Sequence, residues 1–247
     1  MAVDVHVVRV FTRGEVGGNH LGIVADGEVR ATEVMQAIAT EVGYSETIFL
    51  SDDGRVRIFT PFDELPFAGH PLVGAAWWLA HAGVRVRELR PPIGPIRCGV
   101  LGDRGWIEAT LDQRVEEFSG RWPDWLPDPV RSCVVHMPIP YVIWQVASPD
   151  SVASIDPVPG NEWVYAVADA GATTRARFFV GQEFEDPATG SAAVALARAR
   201  VHWGEESGEV RILQGEEIGH PSSIHLSWTE RRCRVAGTVH PEPSLSI

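Results

Sequence analysis

The chain has 247 residues, enough for one large domain or two compact halves, and 45% of them are hydrophobic. Its formal charge of −12 argues against a nucleic-acid partner, which needs a basic surface, yet leaves room for a small anion in a local pocket. There is no lysine, so all 21 basic residues are arginine, and that excludes a pyridoxal phosphate Schiff base and a Walker A loop.

In chain order, Val3–Phe11 alternates like a strand, and "GGNHLGIVAD" (Gly17–Asp26) reads as a turn into a second. The alternation at the start is unlike a signal peptide, and no apolar run reaches the length of a membrane span. The expectation is a cytoplasmic protein with no membrane partner. Helical spacing runs from Thr32 to Val42, with Thr32 as the expected N-cap. "ETIFLS" and "VRIFTP" are β-rich runs joined by the turn "DDG". "LPFAGHPLVGAAWWLAHAG" then leads through a Gly/Pro turn into a helix that is apolar nearly all round, which predicts burial on most sides. Strands are expected at Arg85–Leu89, Ile96–Leu101 and Trp106–Leu111.

Arg114 to Val130, rich in Pro and Trp, reads as a connection, which divides the chain into halves at 1–113 and 114–247, the closing strand being left open to either. After it the grammar repeats. Val134–Val146, Trp163–Val167 and Ala176–Val180 are strand-like, "EDPATGSAAVALARA" opens a second buried helix, and Val210–Leu213, Ser223–Trp228 and Arg232–Val239 read as closing strands. Laid over each other at a constant offset, the helix-start segments match Phe59 with Phe178, Glu64 with Glu183, Gly69 with Ala188 and His70 with Thr189. The expected fold is therefore α+β, two pseudo-repeated halves, each a β-barrel-like sheet around a central helix, with a ligand received in a cleft between them.

Helix starts concentrate unpaired N–H donors and partial positive charge, so two such starts offer a carboxylate or phosphate site without lysine. Small residues such as Gly69, Gly190 and Ser191 allow close approach to the backbone. The competing reading is that Asp186 and Thr189 simply cap a buried helix. In "GYSETIFL" alternation sends Glu46, Ile48 and Leu50 to one face. Glu46 is then either the exposed start of a strand or a buried acid suited to carrying protons both ways. His70, between Gly69 and Pro71, lies near a helix start, where a lone histidine is either structural or functional. The other histidines show no metal-ligand spacing. Cys98, Cys133 and Cys233 form no C-x-x-C pair, and neither G-x-S-x-G nor G-x-G-x-x-G occurs.

"GGNHLGIV", "SETIFL", "RIFTPFDELPFAGHPLVGAA", "FEDPATGSAAVALA" and "QGEEIGHPS" stand in this order along most of the chain. Together they resemble the PhzF-like phenazine-biosynthesis isomerases of the diaminopimelate-epimerase-like superfamily. The resemblance implies a homodimer that moves a proton on a small unsaturated or amino carboxylic acid, with neither cofactor nor metal, in secondary metabolism such as antibiotic biosynthesis. Carried over by motif, Glu46 is the acid and base, His70 and Asp186 hold and polarise the substrate or assist transfer, and Gly69, Gly190 and Ser191, with Thr189 and Asn19, bind it. The superfamily's paired racemase cysteines fall near Ala68 and Pro187 here, so two-thiol racemisation is excluded by sequence. Two departures are "GNH" at Gly18–His20 where the family has GNP, and "GHPS" at Gly219–Ser222 where it has GRPS. The alternatives are a lyase acting on a hydroxy acid by the same proton abstraction and a non-catalytic carboxylate-binding protein.

Overall fold

The computed structural model describes residues 2–25, 30–51, 54–85, 87–120, 124–137, 139–156, 163–181 and 184–247. Residue contacts gather the chain into two units, Met1–Glu108 with Ala236–Ile247, and Ala109–Val235. The first opens with β1 (Asp4–Val10), β2 (Asn19–Val24), α1 (Thr32–Val42), β3 (Glu46–Leu50), β4 (Val56–Phe59) and β5 (Glu64–Leu65). It continues with α2 (Gly69–His81), β6 (Glu88–Leu89), β7 (Ile96–Leu101) and β8 (Arg104–Thr110). The second contains β9 (Val115–Glu117), β10 (Arg131–His136), β11 (Pro140–Gln145), α3 (Pro149–Ala153), β12 (Trp163–Ala170), β13 (Thr173–Val180) and β14 (Phe184–Asp186). After them come α4 (Gly190–His202), β15 (Ser207–Gln214), β16 (Ser222–Thr229) and β17 (Arg232–Ser246), and β17 carries the chain back into the first unit.

Both units are mixed α+β with one central helix. In the first, β2 pairs β1 antiparallel and β3 parallel, β4 pairs β3 and β5 antiparallel, and β17 joins β1 and β8. A parallel bridge, Arg55 to Arg90, links the start of β4 to the residue after β6. In the second, β11 pairs β10 antiparallel and β12 parallel, β13 pairs β12 and β14 antiparallel, and β15 runs parallel to β13. Strand for strand, the two units share one topology.

The reason lies in the helices. α2 carries no polar face, and Gly69 through Trp77 are all buried against β1, β2, β3 and β7. α4, built of alanines, is buried from Gly190 through Ala197 against β9, β10, β11 and β16. At Gly105 of β8 an added Cβ would lie 2.3 Å from the Val73 carbonyl, so the strand backbone rests directly on α2. The outer faces of the strands are covered too. Met35, Ile38 and Val42 of α1 pack on Val5, Val24, Phe49 and Phe59, and Val152 of α3 packs with Trp144, Val164 and Phe179. Strands covered on both faces read as continuous apolar runs, which is why "ETIFL" and "PYVIWQ" do not alternate cleanly.

The internal repeat is real, but its register corrects the sequence alignment. The Arg57 guanidinium donates to Glu64 and lies over the Phe59 ring at 5.0 Å, while Arg177 donates to Glu185 and lies over Phe179 at 4.9 Å. Phe59 therefore matches Phe179, not Phe178, and Gly69, first in α2, matches Gly190, first in α4. The second hairpin holds one residue more between its Phe and its Glu, so no single offset serves both segments. A slip of one residue moves a strand side chain to the opposite face, and Phe178 indeed packs with Tyr141 and Tyr165 on the side away from α3. Glu183 lies outside the described residues.

Other boundaries also differ from expectation. Ala31 is the N-cap of α1, and Thr32 opens the helix with its hydroxyl accepting from Arg57 at 3.0 Å. Val134–Val146 is two strands folded on each other, and the expected connection contributes β9, which pairs with β10. At Arg85–Leu89 only Glu88–Leu89 is strand, Val86 lying outside the described residues, and the last strand runs on past Val239 to Ser246.

The duplicated Arg–Glu pairs differ in depth, and their energetics should differ accordingly. The side chains are 5% and 7% exposed in Arg177–Glu185 but 32% and 29% exposed in Arg57–Glu64. Glu185→Gln strands a buried guanidinium and should cost about 3 kcal/mol or more in urea unfolding. Glu64→Gln should cost less than about 1 kcal/mol in the same measurement.

Candidate active site

The first unit brings Glu46 and His70 together. Gly43 ends α1 in the left-handed conformation (φ 71°), and Tyr44 and Ser45 lead directly into β3, so Glu46 is its first residue. Its half-buried carboxylate Oε2 lies 3.4 Å from His70 Nδ1. His70 is the second residue of α2, held between Gly69 and Pro71, and is almost fully buried. Its Nε2 faces the His20 carbonyl at 3.4 Å. A carbonyl only accepts, so Nε2 carries the ring proton and Nδ1 turns a lone pair toward Glu46. Burial pushes the imidazole down to about 3, so it is neutral, and the contact with Glu46 is not an ion pair at neutral pH. Asn19, buried at the start of β2, accepts a 2.9 Å hydrogen bond from Ser45, the residue before Glu46. The His20 ring stacks on Tyr44 with centroids 5.0 Å apart.

The second unit gathers Asp186, Thr189, Gly190 and Ser191 around the start of α4. Asp186 closes β14, and its Oδ2 accepts a short hydrogen bond from the Thr189 hydroxyl. Thr189 is the N-cap of α4 yet makes no side-chain cap bond, because its hydroxyl is engaged with Asp186 and with Gln214. The simple capping reading of Thr189 is thereby corrected. α2 likewise begins without a side-chain cap, its N-cap being Ala68. Ser191 meets the Tyr141 hydroxyl at 3.1 Å, and Tyr141 stacks on Trp163.

Strand register identifies what each unit has at equivalent places. Ile48 pairs with Ile58 as Tyr165 pairs with Phe178, so Glu46, two residues before Ile48, corresponds to Trp163. His70 corresponds to Ser191 and Leu65 to Asp186. Tyr141, Trp163, Tyr165 and Gln214 were not singled out by sequence. Only Gln214 carried a signal, as the first residue of "QGEE".

With that geometry in hand, similarity to known proteins is decisive. Residues 8–114 match the profile of the phenazine biosynthesis-like proteins (PhzC-PhzF). An uncharacterised isomerase of Mesorhizobium japonicum is 32% identical over 92% of this chain and 91% of its own. The chain belongs to this phenazine biosynthesis-like family. A Pseudomonas fluorescens member, a trans-2,3-dihydro-3-hydroxyanthranilate isomerase, is 33% identical over 87% of each chain. The crystal structure of a Bacillus anthracis phenazine biosynthesis protein of the PhzF family shares the fold, with a TM-score of 0.84 over 100% of this chain and 99% of its own at 23% identity. As a member of the family the chain is an isomerase. No three His, Cys, Asp or Glu residues cluster as metal ligands among the described residues, and no helix there is long and apolar enough to cross a membrane. The Cys98 and Cys133 thiols are pushed up to about 12, chiefly by burial, and thus are not thiolates at neutral pH.

The buried neutral His70 sets a pH dependence of stability. An unfolded histidine takes up a proton near 6.5, whereas His70 stays neutral in the folded chain until about 3. In that window the unfolded state binds the extra proton, so stability is full above pH 6.5 and falls as pH drops, by at most ~1.4 kcal/mol per unit. Urea unfolding across pH 6.5 to 4.5 should show this slope in the wild type and a flatter one in His70→Gln. Parallel slopes would show that His70 does not titrate between the two states.

Proposed function

We propose that the chain relocates a proton on a small unsaturated carboxylic acid without a cofactor, with Glu46 as general acid and base. One observation supports this above others: the Glu46 carboxyl faces the lone pair of a neutral, buried His70. Two lone pairs repel, so the contact is satisfied when Glu46 holds the proton and donates to Nδ1. A substrate carbon would supply that proton and take it back at a conjugated position. One C–H bond breaks, the electron pair shifts along the conjugated system, and one C–H bond forms, so composition is unchanged. His70, fixed by the His20 carbonyl, would keep the carboxyl oriented. Asp186 is proposed to hold a polar group of a substrate, and the start of α4 at Gly190 and Ser191, with Thr189, to bind a carboxylate; Gly69 and Asn19 are the proposed contacts of the first unit.

Each unit is proposed to wrap its central helix as a barrel-like sheet, a reading the Arg55–Arg90 bridge supports in the first. The proposed assembly is a homodimer. At the "GNH" departure, residue 20 offers its carbonyl to His70 and lays its imidazole on Tyr44.

The test uses trans-2,3-dihydro-3-hydroxyanthranilate, the acid in the name of the Pseudomonas relatives, in D2O. The wild type should give an isomer of unchanged composition carrying one solvent deuterium. Glu46→Gln, still folded by circular dichroism, should exchange ~10²- to 10⁴-fold more slowly. Wild-type exchange in that variant would remove Glu46 from its role, and a product lighter by water would identify a lyase.

A further inference from the structure

Gln214 and Tyr165 lie outside the set assigned to the substrate, yet both are completely buried. They are joined to Asp186 by a chain of hydrogen bonds whose directions are all determined. Tyr165 donates its phenol proton to Gln214 Oε1 at 3.2 Å. The amide is oriented by the Asp186 main-chain carbonyl, which only accepts, so Gln214 Nε2 spends its two protons on that carbonyl at 2.7 Å and on Thr189 Oγ1 at 3.0 Å. Thr189, already accepting, sends its single proton to Asp186 Oδ2. Gln214 therefore grips both the backbone and, through Thr189, the carboxylate of Asp186.

The grip has a rigid base. Gln214 closes β15, where its backbone is in register with Ala176 on one side and Ser222 on the other. Gly215 then turns the chain at φ +78°, and a Cβ there would lie 2.4 Å from the His220 carbonyl and 2.6 Å from that of Pro187. Only glycine lets the "QG" turn sit flush on the loop that carries Asp186. The first unit has no such device. Arg55 bridges Arg90 as Arg175 pairs with Leu213, so Pro91 occupies the place of Gln214 and has no side-chain donor.

We propose that Gln214, backed by Tyr165, is a positioning residue: its amide fixes the rotamer of Asp186 through Thr189 and so holds that carboxylate where the reaction needs it. The proposal rests on the role given to Asp186 above. A carboxylate released by even an ångström from its working geometry loses about 100-fold in rate, so the effect belongs in kcat.

The experiment compares the wild type with Gln214→Leu, Gln214→Glu, Tyr165→Phe and Asp186→Asn. Thermal melts establish folding, deuterium exchange into trans-2,3-dihydro-3-hydroxyanthranilate gives kcat and KM, and the Asp186 carboxyl ¹³C signal reports its surroundings without turnover. Gln214→Leu should lower kcat about 100-fold with KM nearly unmoved, and should shift the Asp186 signal. Gln214→Glu should not rescue it, since one carboxyl cannot donate to both acceptors. Tyr165→Phe, which removes only a hydroxyl, should lower kcat about 3- to 10-fold and keeps the test open if Gln214→Leu does not fold. An Asp186 signal and kcat unchanged in Gln214→Leu, or in Tyr165→Phe where that variant alone folds, would overturn the proposal. A shifted signal alongside full turnover in Asp186→Asn would uphold the grip of Gln214 on Asp186 and instead overturn the role of Asp186 in the reaction.

Discussion

A helix with no polar face has to be covered on every side, and this requirement, met twice, governs the rest of the chain. α2 and α4 bury their first two turns completely. Among the described residues strands are the elements that cover them, and those strands in turn carry α1 and α3 on their outer faces. A helix start buried in this way leaves little room for bulky capping side chains. Of the two N-cap residues, Ala68 has no side-chain acceptor and the Thr189 hydroxyl is engaged with Asp186 and Gln214, so neither caps its helix, and the small residues after them keep the backbone approachable. On the proposed reading, the N–H donors of the helix starts are a by-product of how the cores are filled.

Duplication supplied two copies of this arrangement, and divergence made them unequal. Structural features persist in both, above all the Arg–Glu pair with its aromatic neighbour, which fastens the hairpin before each central helix. Positions around the helix starts do not persist. Glu46 stands against Trp163, His70 against Ser191, Leu65 against Asp186 and Pro91 against Gln214. The Arg–Glu pair that fastens each hairpin is present in both units, whereas the positions around the helix starts differ between them. On the proposed reading, that inequality suits an isomerisation that breaks one C–H bond and forms another at a different carbon.

Much of this was legible in the sequence because composition controls it. The all-round apolar pattern of α2 and the small-residue pattern of α4 revealed both central helices, and motif order revealed the family. Local pattern left Glu46 and His70 open between structural and functional readings, the motif resemblance assigned them roles, and the fold places them 3.4 Å apart. Register was not legible. One extra residue in the second hairpin defeats any constant offset, and a strand covered on both faces has no alternation to reveal which way a side chain points. Hence Phe178 and Phe179 were confused, and Val134–Val146 read as one strand because both of its halves are apolar. Gln214 was hidden for another reason: a buried glutamine announces itself only through its partners, which lie 25, 28 and 49 residues away.

Proton direction ties these strands of argument together. In the first unit a main-chain carbonyl, which has no proton to give, decides the tautomer of His70 and leaves a lone pair facing Glu46. In the second, the Asp186 main-chain carbonyl, which can only accept, decides the orientation of Gln214, so Tyr165 donates to its Oε1 and the protons run onward until they end on Asp186. On the proposed reading, hydrogen bonding therefore asks for a proton on Glu46 and for none on Asp186. Two acids whose surroundings make opposite demands suit opposite tasks. Glu46 can surrender and recover a proton as substrate carbon requires, while Asp186, held by donors, serves to orient. The neutral groups His70, beside Glu46, and Thr189, backed by Gln214 and donating to Asp186, take part in setting those demands.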